Sequence, residues 1–205
     1  DQIVKICDRN FIGCDQLIFI EPDSSADANL RFFNSDGGES GACGNGTRCV
    51  ANLISNEKNN KSIILNKLSG KLKSEILEKK IVTTEIGKAR LKWDEIPLSK
   101  EMDTKNLNIK IIDTNNNEHL GGTAINVGNP HIVFFVKRIE DFNIEKIGPE
   151  IENHEIFPET CNVTIAQIFN KNLIKVKVWE RGAGLTNACG TAACATAYAG
   201  KLNNL

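Results

Sequence analysis

The stretch FNSDGGESGACGNGTRC, residues 33–49, decides how this chain is interpreted. An apolar run ends in Asn34, a turn with two glycines follows at Asp36-Gly37-Gly38, and Cys43 then stands between small residues. After Gly44-Asn45-Gly46 the apolar residues recur at helical spacing. The stretch therefore predicts a strand, a tight turn and a helix, with a cysteine immediately before the helix.

A second stretch, ERGAGLTNACGTAAC at residues 180–194, repeats this pattern 146 positions later. The polar pair Glu180-Arg181 ends an apolar run, Gly182-Ala183-Gly184 supplies the turn, and Cys189 precedes Gly190 and an alanine-rich helical segment. A repeat that is matched both in motif and in context predicts two similar domains. We place them at residues 1–89 and 90–205.

A cysteine that precedes a helix lies among unpaired backbone N–H groups, at the positive end of the helix dipole. This location is expected to lower the thiol pKa and to favour the reactive thiolate. The adjoining glycines allow a ligand to approach the backbone, and the open N–H groups can bind a carboxylate. A single cysteine of this kind is more often a small buried apolar residue. The repeated context of Cys43 and Cys189 predicts a catalytic pair instead.

Two thiols from two similar domains suit a two-base reaction at a chiral carbon. One thiolate would remove a proton, and the other thiol would deliver one to the opposite face, which inverts the centre. The roles exchange in the reverse direction, so both groups need the same chemistry. Racemisation or epimerisation without a cofactor is the reaction that this arrangement predicts.

Composition excludes several other classes of protein. The 205 residues are 40% hydrophobic and 25% charged, and 25 basic against 26 acidic residues leave a net charge of -1. This balance argues against nucleic-acid or membrane partners, and neither a membrane span nor a signal peptide is recognisable. Seven cysteines without a secretory signal argue against a disulfide framework and predict a cytoplasmic location. The cysteine spacings do not favour zinc, so we expect no metal.

Short apolar runs dominate the chain and predict a strand-rich α/β fold. One further helix is predicted at 144–154, and a break near 93–97 followed by a polar run at 99–105 predicts a domain boundary or linker there. Cys49 and Cys194 are predicted to pack on the apolar faces of their helices, and Cys7, Cys14 and Cys161 are also assigned to packing. The predicted strands cover residues 15–21, 30–34, 62–66, 71–77, 80–92, 107–113, 123–127, 131–136, 162–169 and 173–180.

The two cysteine stretches closely resemble the two active-site motifs of the diaminopimelate epimerase family, and the blocks Ile12-Gly13-Cys14-Asp15-Gln16 and Gly128-Asn129-Pro130-His131 agree with it as well. The resemblance implies an α/β (α+β) fold of two pseudo-symmetric domains, each a mostly antiparallel curved sheet or barrel around a central helix. It also implies interconversion of LL- and meso-diaminopimelate without a cofactor, in lysine and peptidoglycan-precursor biosynthesis. The family's tendency to dimerise makes a homodimer one candidate assembly.

The resemblance assigns roles residue by residue. Cys43 and Cys189 match the two catalytic thiols, while His131 and Glu180 match groups that tune thiol protonation. Gly44-Asn45 and Gly190-Thr191 match the backbone donors that hold the reacting carboxylate. The positions that match substrate-binding residues are Gln16, Asn34, Gly44, Asn45, Asn129, Asn162, Glu180, Arg181, Gly190 and Thr191.

Three points depart from this interpretation or compete with it. The family's H-G-x-G-N-D segment is absent before Asp1, and the segment that follows the second helix is absent after Leu205, so we expect both ends to be missing. Ala192 stands where family members often carry glycine. The alternatives are another two-thiol isomerase, acting on proline or hydroxyproline, and a redox or metal-binding module that uses the same thiols.

Overall fold

The structure, a computed structural model, describes residues 2–41, 43–78 and 81–205. The chain divides into two compact units, Asp1–Gly87 and Lys88–Leu205. Each unit consists of β-sheet and a few helices, and each places one of the two motif cysteines directly before a helix.

The first unit is built on one mostly antiparallel sheet. Its elements are α1 (Gln2–Cys7), β1 (Gln16–Glu21), β2 (Ala28–Asn34), β3 (Glu39–Ser40), α2 (Gly44–Lys58), β4 (Ser62–Lys67), β5 (Leu72–Ile76) and β6 (Val82–Thr84). The strand order is β1-β2-β4-β5-β6, with β3 paired to β2, and only β2 and β4 run parallel. Because α2 connects these two parallel strands, it returns across the sheet and packs against β4, β5 and β6.

The spacing of the buried residues in α2 explains which face of the helix packs against this sheet. Its buried residues recur at intervals of three and four, which places one stripe against the sheet. Alternate residues of β2 supply the facing surface, as expected for a strand. The core of this unit consists of Ala28, Leu30, Phe32, Val50, Ala51, Ile54, Ile63 and Leu65.

The second unit contains a five-stranded sheet and a separate hairpin. The elements are β7 (Ile109–Ile112), β8 (Glu118–Gly121), β9 (Thr123–Asn126), β10 (Pro130–Phe135), α3 (Ile144–Glu152), β11 (Asn162–Asn170), β12 (Leu173–Glu180), β13 (Gly184–Thr186) and α4 (Gly190–Leu202). The strand order is β13-β12-β11-β10-β9, with only β10 and β11 parallel, and β7 pairs with β8. The helix α3 packs against β11, β12 and β13, whereas α4 packs against β9, β10, β11 and β12.

The central strands of this sheet are covered on both faces. The first five residues of both β10 and β11 are buried, without the alternation of a half-exposed strand. Ile132, Phe134, Val163 and Ile165 join the large apolar core, while their neighbours on the same strands occupy the opposite face. His131 belongs to that second group and is fully buried.

The two units share the same order of strands, turn and helix along the chain, which explains the internal repeat. In the first, β1 and β2 pair antiparallel, a turn leads to β3, and Cys43 is the N-cap of α2. In the second, β11 and β12 pair antiparallel, a turn leads to β13, and Cys189 is the N-cap of α4. The predicted fold class, two similar α/β units with mostly antiparallel sheets and a helix that begins at each cysteine, is confirmed.

Several local predictions were wrong. Within the predicted run 80–92, β6 covers only Val82–Thr84, and Arg90 makes an isolated bridge to Asn126; residue 80 lies outside the described residues. The predicted linker at 93–105 contributes Ile96 and Leu98 to the core of the second unit. Cys49 and Cys194 are exposed and do not pack in a core.

No helix among the described residues is long and apolar enough to cross a membrane.

Candidate active site

The Cys43 sulfur is held at the first turn of α2. Its residue adopts an extended backbone, with φ −142° and ψ 99°, and the sulfur accepts a hydrogen bond from the Gly46 N–H at 3.4 Å. The Cys43 carbonyl accepts from both the backbone N–H and the hydroxyl of Thr47, at 2.9 and 2.7 Å. These bonds satisfy donors at the start of the helix and place the sulfur beside its positive end.

Gly46 leaves room for this close approach. A Cβ added at Gly46 would overlap the end of Ile18 on β1 and would lie 3.1 Å from the Cys43 sulfur. Gly44, by contrast, has open space where a side chain would begin. The start of α2 therefore leaves a clear approach to its backbone at Gly44, while Gly46 lets the helix fit between Ile18 and the sulfur.

The predicted substrate-binding pair of the first unit meets across two strands. Gln16 and Asn34 are register partners at the adjoining ends of β1 and β2, and the Gln16 amide donates to Asn34 Oδ1 at 2.8 Å. Gln16 shares a strand face with Ile18, which contacts the beginning of α2. Asn45, also predicted to bind substrate, is exposed, and its Oδ1 accepts from Arg48 at 2.8 Å.

The turn before Cys43 is a tight hairpin. Gly37 donates its N–H to the Asn34 carbonyl at 3.0 Å, and the Asn34 N–H bonds to the Gly38 carbonyl at 2.9 Å. Gly37 has a φ of 89°, a conformation that glycine adopts without strain. The glycines in the motif therefore return the chain so that β3 pairs with β2 just before the cysteine.

The second unit repeats this turn with different residues. The Ala183 N–H bonds to the Glu180 carbonyl at 3.0 Å, and Gly182 and Gly184 have φ values of 71° and 81°. The Glu180 carboxylate accepts from the Thr186 hydroxyl at 2.6 Å. Cys189 then begins α4 with φ −132° and ψ 110°, close to the backbone of Cys43. The two halves therefore use the same local backbone to present a thiol.

A chain of hydrogen bonds connects three predicted residues to Cys189. His131 Nε2 lies 2.9 Å from Asn129 Oδ1, Asn129 Nδ2 donates to Thr191 Oγ1 at 3.5 Å, and Thr191 Oγ1 lies 3.4 Å from the Cys189 sulfur. Since an amide oxygen only accepts, the proton of the neutral imidazole is on Nε2. The Thr191 oxygen accepts from Asn129, so its own proton is available to the sulfur.

The pKa of the Cys189 thiol differs from the sequence-based expectation. Burial raises it to about 11, and the Glu180 carboxylate acts in the same direction. The Thr191 hydroxyl and the Ala192 N–H lower this pKa but do not compensate for burial. The predicted lowering of the thiol pKa was therefore wrong for Cys189, because loss of water outweighs the donors at the helix start.

His131 is neutral because it is buried. Burial, with a smaller contribution from the Arg181 charge, lowers its pKa to about 3. Its Nδ1 is buried and has no hydrogen-bond partner within the part of the chain that the structure describes. Its connection to Cys189 passes through Asn129 and Thr191.

The remaining predicted residues of the second unit gather at the ends of β11 and β12. Asn162 Oδ1 accepts from the Arg181 backbone N–H at 3.1 Å, and Asn162 Nδ2 donates to the Pro130 carbonyl at 2.8 Å. The Arg181 guanidinium donates to the Glu159 carbonyl at 2.9 Å. Gly190 is the first residue of α4 and is exposed.

Two residues of these surroundings carried no recognisable signal in the sequence. The Lys67 ammonium, which is largely buried, donates to the Ser69 hydroxyl and, at 3.5 Å, to the carbonyl of Gly41, two residues before Cys43. Burial lowers the pKa of Lys67. Glu152, the last residue of α3, accepts hydrogen bonds from Trp179 and Gly182. Neither residue belongs to a motif, and Gly41 and Gly182 lie 26 and 30 positions away from Lys67 and Glu152 in the sequence.

Comparison with known proteins identifies the family. The family model described as "Diaminopimelate epimerase" matches residues 1–92 and 123–205. The chain is 66% identical over its whole length to the diaminopimelate epimerase of Pelagibacter ubique, of which it covers 75%. The chain belongs to the diaminopimelate epimerase family.

A second relative agrees with this assignment, and a solved structure shares the fold. The diaminopimelate epimerase of Sphingopyxis alaskensis is 47% identical over 93% of this chain, and the match covers 67% of that protein. Among solved structures, a hydroxyproline epimerase from Agrobacterium vitis superposes with a TM-score of 0.69, over 99% of this chain and 65% of that one. At 13% identity, this likeness shows the fold alone.

Proposed function

We propose that this chain interconverts LL- and meso-diaminopimelate without a cofactor, a reaction of lysine and peptidoglycan-precursor biosynthesis. The observation that carries the proposal is that Cys43 and Cys189 are both N-caps of helices, with matching extended backbones after matching strand–turn–strand segments. Inversion of one carbon by a two-base mechanism requires two groups of the same chemistry, one acting as base and the other as acid. Two relatives that this chain matches over 75% and 67% of their length are named diaminopimelate epimerase.

The proposed inversion takes two proton transfers, one at each sulfur. One cysteine, as thiolate, removes the α-proton and becomes a thiol, and the electron pair stays on the substrate as a carboxylate-stabilised carbanion. The other cysteine, as thiol, then delivers its proton to the opposite face and becomes a thiolate. Burial raises the pKa of Cys189, which favours its thiol form at neutral pH in the free protein.

The charge that develops on the substrate needs donors. Backbone N–H groups at the start of α2 and α4 point away from the helices, at Gly44-Asn45 and Gly190-Thr191, where a carboxylate gains hydrogen bonds and the favourable dipole end. Asn34, Gln16, Asn129, Asn162, Glu180 and Arg181 are the proposed substrate contacts. His131 and Glu180 are proposed to set the protonation of the thiols.

The decisive experiment follows proton exchange in deuterated water. We expect the purified protein to introduce deuterium at the α-carbon of diaminopimelate while the LL and meso forms interconvert, as measured by NMR and chiral chromatography. Proline and trans-4-hydroxyproline serve as control substrates, because enzymes that act on them share the fold. Exchange into proline without exchange into diaminopimelate would overturn the assignment.

Three further expectations stay predictions. Independence from metals and organic cofactors requires that exhaustive dialysis against a chelator leave turnover unchanged. For a homodimer, we expect light scattering of the purified protein to give twice the molar mass of one chain. A cytoplasmic location agrees with the absence of disulfides among the described cysteines and is checked by cell fractionation.

A further inference from the structure

The segment that carries Arg181 is a tight turn with few bonds of its own. After β12 ends at Glu180, the turn is closed by the bond from the Ala183 N–H to the Glu180 carbonyl. Gly182 and Gly184 both adopt positive φ values, which only glycine tolerates readily. Gly182 and Ala183 are exposed. Such a turn does not by itself fix the direction of the Arg181 side chain.

Glu152 bridges this turn to the strand before it. Its Oε1 accepts from the Gly182 N–H at 2.9 Å, and its Oε2 accepts from the Trp179 indole N–H at 2.6 Å. Both are charge-assisted bonds, which are stronger than neutral ones. The two donors, Trp179 and Gly182, flank Glu180-Arg181 in the sequence. One carboxylate therefore holds both ends of the segment 179–182.

Glu152 stands at a position of its helix that does not favour a carboxylate, which indicates that the bonds to Trp179 and Gly182 hold the Glu152 carboxylate in place. It is the last residue of α3, where the helix dipole disfavours a carboxylate. The helix is also fixed against Trp179: a Cβ added at Gly148 would overlap the indole ring and its Cβ. Because α3 touches the Trp179 side chain directly, the carboxylate reaches both donors with little freedom.

We propose that Glu152 is a positioning residue for the reaction: it holds the turn at residues 181–184 so that Arg181 presents its guanidinium to a substrate carboxylate. Asn162 and the Glu159 carbonyl complete the arrangement by binding the Arg181 N–H and guanidinium. This inference rests on the proposed function, since it concerns the binding of the same substrate. Glu152 itself does not touch the reacting atoms.

The test uses Glu152→Gln. The variant keeps the shape of the side chain, but one terminal atom becomes an NH₂ group, so either Gly182 or Trp179 loses its acceptor. We expect the KM for diaminopimelate to rise about ten-fold, the scale of one hydrogen bond to a charged group, with kcat changed less than about two-fold. Glu150→Gln is the matched control, because Glu150 is exposed on the same helix.

A second measurement separates positioning from a general loss of structure. Hydrogen–deuterium exchange of the intact variant should accelerate in the peptide that contains 181–184, while the exchange of β10 and β11 stays as in the unchanged protein. An unaltered KM with unaltered exchange would overturn the proposal. So would faster exchange throughout the second unit with a parallel fall in kcat, which would indicate a purely structural role.

The experiment distinguishes failure of the Glu152 proposal from failure of the proposed epimerase activity. If the unchanged protein does not turn over diaminopimelate, the proposed function fails, and the exchange experiment still decides whether Glu152 holds the turn. Local acceleration in Glu152→Gln, absent from Glu150→Gln, then supports the positioning role. Equal exchange in both variants contradicts it.

Discussion

The two thiols occupy equivalent positions in their helices, but their immediate surroundings differ. Each sulfur interacts with the backbone N–H three residues further on, that of Gly46 for Cys43 and that of Ala192 for Cys189, but the Cys189 sulfur also lies against the Thr191 hydroxyl and near the charge of Glu180. Three residues after Cys189 stands Ala192, fully buried, where the first helix has Gly46. The same local backbone therefore presents both thiols, while the residue three positions after the cysteine differs between the two helices, glycine in α2 and a buried alanine in α4.

The largest expected effect tests whether both halves are needed. Replacing either Cys43 or Cys189 by serine should reduce epimerisation at least about 10³-fold, because a hydroxyl is a far weaker acid and base than a thiol at neutral pH. Serine is preferred to alanine because it preserves the capping atom. Turnover is measured by interconversion of the two diaminopimelate isomers.

The control variants for this experiment are Cys49→Ser and Cys194→Ser. Both cysteines are exposed on the same two helices, so these changes should leave turnover close to that of the unchanged protein. Substantial epimerisation by either Cys43→Ser or Cys189→Ser would contradict the two-base mechanism and would mean that one half acts alone.

The second prediction concerns pH and the imidazole buried in the second unit. The pKa of His131 is about 3 in the folded protein and about 6.5 when unfolded, so only the unfolded chain binds a proton between these values. The contribution of the neutral, buried imidazole to the free energy of unfolding is complete above pH 6.5 and declines as the pH falls toward 3. From pH 6.5 to pH 5 the loss amounts to about 2 kcal/mol.

Urea unfolding at pH 7 and pH 5 measures this loss. His131→Asn removes the titrating group and should make the pH dependence shallower by about that amount. Thr164→Val removes a buried hydroxyl that has no hydrogen-bond partner among the described residues, so it is the non-titrating control and should keep the original slope. An unchanged slope in His131→Asn would show that the imidazole is not held neutral by burial.

The third prediction makes the first helix resemble the second. Gly46→Ala gives α2 the residue that α4 carries at the equivalent position, but the new Cβ meets Ile18. We expect a loss of about 1–3 kcal/mol in the free energy of unfolding, the usual cost of overpacking. The measurement is urea denaturation.

A second substitution shows whether contact with Ile18 is the cause. Ile18→Val removes the Cδ1 atom that the new methyl group would touch, so the double variant should recover part of the stability. If Gly46→Ala is as stable as the unchanged protein, the glycine is not required for packing, and the difference between the two helices has another origin.

The smallest effect is expected at Thr191. Its hydroxyl lowers the pKa of Cys189, so Thr191→Val should raise that pKa further. The limb of the pH–rate profile that reports Cys189 ionisation should move to higher pH, with a loss of a few-fold in kcat/KM near neutral pH. Thr196→Val is the control, since Thr196 is buried on the same helix and its hydroxyl has no partner among the described residues. A profile that does not move would remove Thr191 from the hydrogen-bond chain.

The two cysteine motifs were sufficient to predict the backbone conformation around Cys43 and Cys189. Both cysteines were predicted to precede helices, and the structure places both at the N-cap after a glycine turn. Each of these features depends on residues that are neighbours in sequence: the glycines that allow the turn, the small residues at the helix start, and the apolar spacing that follows.

What the sequence did not reveal depends on distant parts of the chain. The raised pKa of Cys189 results from burial, which no local pattern reports. Glu152 reaches the Arg181 turn across 30 positions, and Ile96 enters a core from a segment that is polar on either side. Cys49 and Cys194 were assigned to packing because their neighbours are apolar, but each lies on the exposed side of its helix.

The bond between the Gly46 N–H and the Cys43 sulfur has a consequence for the reaction cycle. A thiolate is a much better hydrogen-bond acceptor than a thiol, so this cap is strong when Cys43 is charged and weak once it has taken a proton. The first turn of α2 is therefore tightest when the sulfur is ready to act as a base. In the proposed reaction, this turn would loosen when Cys43 takes the substrate proton and tighten again when the thiolate is regenerated, so the protonation state of the sulfur would also affect the backbone of the helix.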